Sequence, residues 1–211
     1  MNSEAPGWGR YRPVGEALGL LAVTFPLAVG LHLSTLWLLI PFTLITFTRR
    51  SYDAYGLTFR DCGGPRFHAA VVLAVFLPYT VAYYLLAHWG WGARFDFRLP
   101  PGFVHSAMVQ VLLIAFPEEF FFRGYFQTQL DRAWTTPYKL LGARWGIGLV
   151  VTAAVFAACH VVHGGWSRLL VFFPGLLYGW LRARSGTVLV PTVYHALSNL
   201  LLQVLRASFS R

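Results

Sequence analysis

Charge is what this sequence lacks most: only 12% of its 211 residues are Asp, Glu, Lys or Arg, while 56% are hydrophobic. Soluble domains carry about 25% charged residues. A water-soluble globule is therefore excluded, and residues 1–211 read as one all-α polytopic membrane domain. Cysteine is nearly missing as well. Cys62 in a polar loop and Cys159 in an apolar run make neither a disulfide framework nor a CxxC metal or redox motif. There is no solenoid-period repeat, low-complexity tract or separate soluble domain. The net charge of +9 comes from residues scattered between apolar segments; with no continuous basic stripe, nucleic acid is excluded as a partner.

The apolar segments divide the chain. Residues 1–13 form a polar tail carrying Arg10 and Arg12. The run from Val14 to Thr48 is too long for one ordinary span and is interrupted at His32-Leu33-Ser34, which predicts two short helices, kinked at Pro26 and Pro41. Arginines and a small-residue triplet, Ala28-Val29-Gly30, fit a cleaved signal peptide in part, but the apolar character continues to Phe47, as in an uncleaved first helix. Further helices are expected over Phe67–His88, Val104–Leu130, Trp145–Val162, Leu169–Leu181 and Val188–Leu205, about seven spans in all. The fifth, rich in alanine, glycine and valine, is expected at the centre of the bundle because small residues let helices approach closely.

With seven spans, Arg10, Arg12, Arg49, Arg50, Arg60, Arg66, Arg132, Lys139, Arg144, Arg182 and Arg184 fall on one side of the membrane. Arg94, Arg98, Arg168, Arg206 and Arg211 fall on the other. The first side is then cytoplasmic and the N-terminus lies inside. The single Lys139 among many arginines suggests high-GC bacterial coding, hence a bacterial inner membrane.

Into the fourth apolar segment the sequence sets Glu118, Glu119 and Arg123. An ionised side chain at mid-bilayer costs roughly 2.5–3.5 kcal/mol on an insertion scale, so the segment needs partner helices with polar groups. Glu119 and Arg123 are four apart and share a helix face, where they can pair. Glu118 lies about 100° around the helix and is left over, as a general base requires. The same three residues could instead form a buried network that only fixes packing. Other polar groups in apolar segments are His160, and His195 with Asn199 four residues on. At about 1.5 Å rise per residue, Glu118 lies roughly 19 Å from the cytoplasmic end of its helix, His160 roughly 22 Å and Asn199 roughly 18 Å, with His195 one turn shallower. All four can meet in one pocket between helices 4, 5 and 7, and converging intramembrane polar groups mark a functional site.

Glu118-Glu119-xxx-Arg123, Phe156-xxx-His160 and His195-xxx-Asn199, in that order on separate apolar helices, resemble the three motifs of the CPBP family. That family comprises the CAAX prenyl endopeptidases and the bacteriocin-processing and immunity proteins, also called Abi. The resemblance covers Val104 to Leu202, within a catalytic core expected at residues 102–205. It implies intramembrane proteolysis by glutamate-activated water, with Glu118 as the base, His160 positioning the water and His195 and Asn199 stabilising the oxyanion. Glu119 with Arg123 would hold the fourth helix in register. Its substrate would be a membrane protein or peptide, reached within the lipid bilayer; nothing in the sequence sets an oligomeric state.

Members of this family have been described as metalloenzymes too, and Glu118, His160 and His195 could make a His₂Glu zinc set. The HExxH signature is absent, and the residues can be assigned with no metal. A non-catalytic immunity or scaffold protein would use the same fold. A proton-coupled transporter would use buried Glu and His as a relay, but no inverted repeat or pair of broken helices is present.

Overall fold

The computed structural model describes residues 8–59 and 62–210, and in it the apolar segments fold into seven helical rods. These are α1 (Trp8–Gly30), α2 (Leu36–Phe47), α3 (Pro65–Gly90), α4 (Phe103–Ala133), α5 (Ile147–Gly164), α6 (Phe172–Ser185) and α7 (Leu189–Ser208). Met1–Gly7, Arg60 and Arg211, three parts of the tail and charge assignments above, lie outside the described residues. Two antiparallel strand pairs join them. β1 (Arg94–Phe95) pairs with β4 (Phe209–Ser210), tying the α3–α4 connection to the end of α7. β2 (Tyr138–Leu140) and β3 (Ala143–Trp145) form a hairpin whose two central residues, Leu141 and Gly142, both have positive φ, as a tight turn matched to strand twist requires.

The chain is an all-α membrane bundle with α1, α3 and α4 each long and apolar enough to cross a bilayer. The first apolar run breaks at the expected place but unevenly. α1 is 23 residues and α2 only 12, about 18 Å long against a hydrocarbon core of about 30 Å. Its break is a Schellman turn: His32 takes the left-handed conformation while Leu33 N–H reaches back to Ala28 O and His32 N–H to Val29 O. α2 ends the same way at Arg49, with Arg50 N–H on Ile45 O. Pro26 and Pro41 lie inside helices that continue through them.

Pro78 and Pro117 are handled by a different device. A π-helical stretch ends just before each, Val72–Phe76 in α3 and Gln110–Ala115 in α4. Proline has no N–H to donate and its ring crowds the carbonyl four residues back, so widening the preceding turn relieves the clash. A second π stretch in α4, Phe120–Phe126, follows the two glutamates directly, and all seven of its residues are buried.

That burial moves the expected centre of the bundle to the C-terminal half of α4, where residues 119–127 are all buried, whereas Val104, Met108 and Leu112 of its first half are exposed and α5 keeps an outer face on which Ala154 and Ala158 are exposed. The reason is side-chain volume. Phe121 and Phe122 of α4 pack on Trp37 of α2 at 4.7 and 5.0 Å between ring centroids, and Phe122 meets Phe156 of α5 edge-on at 4.9 Å. The small residues of α5 instead bring α6 close on one side, where a Cβ on Gly175 would stand 3.3 Å from that of Ala153. Gly124 allows a second close approach, since a Cβ there would come within 2.7 Å of the Tyr55 carbonyl.

The N-terminal helices are locked to α4 through Glu16, a polar interruption of the first run that the periodicity reading passed over. Its carboxylate accepts from Arg50 Nη2 at 2.8 Å, from Gln129 at 2.5 Å and from the Tyr125 hydroxyl. Arg132 completes the cluster, donating to Tyr55 Oη at 2.8 Å and Gln129 Oε1 at 2.6 Å. One acidic residue on α1 thus gathers the α2–α3 connection and the end of α4.

Candidate active site

Glu118 and Glu119 project from the short α-helical turn of α4, Phe116–Glu119, held between its two π stretches. They face different neighbours, as their separation of one residue dictates. Glu119 is fully buried and its Oε1 accepts two charge-assisted bonds, from Arg123 Nη1 at 2.8 Å and from His195 Nδ1 at 2.8 Å. Arg123, also fully buried, donates onward to the Gly175 carbonyl at 3.1 Å, and its guanidinium carbon stands 4.1 Å from the Phe156 ring centroid. The expected Glu119–Arg123 pair is present. What the spacing did not reveal is that Glu119 also holds a histidine from α7.

Glu118 keeps a little exposure, 14% of its side chain, against 27% for His160 and 6% for His195. Its Oε2 lies 3.9 Å from His160 Nε2 and 4.0 Å from His195 Nε2 and makes no hydrogen bond within the protein. The tautomers follow from the other ring nitrogens. His160 Nδ1 is 2.8 Å from the Phe156 carbonyl, which can only accept, so Nδ1 carries the proton. His195 Nδ1 donates to the Glu119 carboxylate by the same reasoning. In its neutral form each imidazole then turns an Nε2 lone pair toward the Glu118 carboxylate. Three acceptors facing one small space need a donor between them. Separations of 3.9 and 4.0 Å put a water oxygen placed between Glu118 Oε2 and either Nε2 within hydrogen-bond reach of both.

Asn199 lies one turn beyond His195 on α7, and its Nδ2 donates to Gln110 Oε1 of α4 at 2.9 Å. Ser106 and Gln203 make a second α4–α7 bond at 2.8 Å. Glu118, Glu119, Arg123, His160 and His195 are thus brought into one cluster, with Asn199 turned to Gln110 at its edge. Gln110, an ordinary polar residue earlier on the same helix as Glu118, carried no signal in the sequence, because its partner is 89 residues away.

Two open cavities lie toward the end of α4, the smaller reaching Arg123 of the cluster. Spaces of about 600 and 330 Å³ surround the end of α4 near Asp131, Arg132 and Arg144, and neither is lined by Glu118, His160 or His195. Concavity alone does no chemistry, and the cluster of reactive groups is the better guide to the site.

Over residues 100–201, which span α4 to most of α7 and every residue of the cluster, the chain matches the family model described as Type II CAAX prenyl endopeptidase Rce1-like. No curated protein and no solved structure matches.

Proposed function

We propose, because residues 100–201 belong to the Rce1-like family of type II CAAX prenyl endopeptidases, that this membrane protein hydrolyses a peptide bond of a membrane-associated protein or peptide with a water activated by Glu118. The observation that carries the reading is the convergence of His160 Nε2 and His195 Nε2 on Glu118 Oε2, at 3.9 and 4.0 Å. A water held there gives one proton to the Glu118 carboxylate as its oxygen attacks the substrate carbonyl. His160 fixes the water's orientation through Nε2. The carbonyl oxygen becomes an oxyanion; His195, sharing through Nε2 the proton that Glu118 took, donates to it, together with the Asn199 N–H that is not committed to Gln110. Collapse breaks the C–N bond, and the proton taken by Glu118 passes to the leaving amine.

Zinc on the same three residues would need them closer. Ligands of a tetrahedral zinc at about 2.0–2.1 Å stand only about 3.3 Å apart, and the distances here are 3.9 and 4.0 Å. No group of three metal-ligating side chains is suited to a metal among the described residues. We assign the reaction to the carboxylate and the imidazoles. We further assign a cytoplasmic N-terminus and a bacterial inner membrane, in keeping with eleven basic residues against five on the seven-span reading of the sequence.

The test compares membranes of cells carrying wild type and Glu118→Gln for proteins or peptides whose termini change. A substrate that accumulates uncut in the variant, with the variant still inserted, is the expected result. Undiminished cleavage by Glu118→Gln would overturn the mechanism.

A further inference from the structure

His195 is held by more than its hydrogen bond. Tyr178 of α6, only 2% exposed, lies face to face with the imidazole, with ring centroids 5.0 Å apart and planes 16° from parallel. Phe156 of α5 meets the same ring edge-on at 5.8 Å and 90°. Arg123, whose partner Glu119 binds His195 Nδ1, stands with its guanidinium carbon 5.3 Å from the Tyr178 centroid. The bond to Glu119 fixes one in-plane direction of the imidazole and leaves its tilt to the neighbours. A flat ring stacked on the face removes that tilt, and Nε2 then points at Glu118.

We propose that Tyr178 is a positioning residue: by stacking on His195 it holds the imidazole in the plane that aims Nε2 at the Glu118 carboxylate, through its ring and not its hydroxyl. The inference rests on the hydrolytic reading of the site. The aromatic is contributed by α6, the one helix of the matched region that supplies no carboxylate, imidazole or guanidinium to the cluster, and its hydroxyl bonds with Ser198 of α7 while its ring covers His195. A neighbouring position of α6 already serves the same centre, since the Gly175 carbonyl one turn earlier accepts from Arg123.

The experiment sets Tyr178→Phe beside Tyr178→Leu and Tyr178→Met in the full-length protein, Met being a flexible filler of the same space. Two readouts are taken: cleavage kinetics, and the carbon-bound proton signals of ¹³C-labelled histidine rings, with His195 assigned by its loss in His195→Gln. In wild type and Tyr178→Phe the His195 signals should sit upfield, shifted by the stacked ring, and kcat should agree within a factor of about two. Leu and Met should return the signals downfield and lower kcat by about 10- to 100-fold with KM little changed, the penalty of a catalytic group misplaced by a fraction of an ångström. The proposal is overturned if the His195 signals do not respond to loss of the ring, if either non-aromatic variant keeps full kcat, or if Phe is as impaired as Leu. Failure of the hydrolytic reading shows differently, as cleavage that survives Glu118→Gln while the ring shift is intact.

Discussion

Glu119 is where the physical account is most exposed to refutation. Its side chain and that of Arg123 are both fully buried, they meet at 2.8 Å, and the same carboxylate oxygen takes the His195 Nδ1 proton. Glu119→Gln preserves the volume and one acceptor oxygen but removes the charge. The guanidinium is then a buried cation whose remaining partners are a backbone carbonyl and three aromatic rings. Removing one partner of a buried pair costs about 3–5 kcal/mol, whereas removing both is often close to neutral. Glu119→Gln and Arg123→Met should each be strongly destabilised, and the double variant should be less destabilised than their sum by about 1–3 kcal/mol. The eight tryptophans provide the signal for equilibrium unfolding in mixed detergent micelles. Two single variants within about 1 kcal/mol of wild type, or a double variant equal to the sum, would refute the claim that Glu119 neutralises Arg123 in a dry environment.

Two other outcomes follow from the same geometry. Glu16→Ala removes the acceptor shared by Arg50, Gln129 and Tyr125 in a partly exposed setting. It should lower unfolding stability by about 1.5–3 kcal/mol, the range for hydrogen bonds to charged groups, and an unchanged unfolding midpoint would remove Glu16 as the lock on α4. Exhaustive chelation of the purified protein should leave cleavage intact; loss of activity restored by zinc alone would require Glu118, His160 and His195 to close by more than about half an ångström around a metal.

Much of this was legible in the chain alone. Scarce charge and seven apolar segments specified a helical membrane bundle, because a lipid interior tolerates only backbone that satisfies itself. Four-residue spacing paired Glu119 with Arg123, since helix geometry places such side chains together wherever the helix goes. The prolines and the His32 break were visible for the same local reason, although the uneven lengths of α1 and α2 were not.

What periodicity did not carry is everything that depends on which helix lies beside which. Small residues in α5 suggested a central helix, but closeness on one face is not enclosure, and the phenylalanines of α4 are what the other helices surround. Glu16 gives no signal within its apolar run, and its role comes from Arg50, Tyr125 and Gln129, which surround it in the fold. Spacing along the chain determined the set of reactive groups, the pairing within each helix and the likeness to a family of membrane proteases. Only packing decided that Glu119 rather than Glu118 holds His195, that Asn199 turns to Gln110, and that a tyrosine from α6 lies flat on the imidazole. These are contacts between residues 76, 89 and 17 positions apart. No helical period links such positions, so they exist only once the bundle has closed.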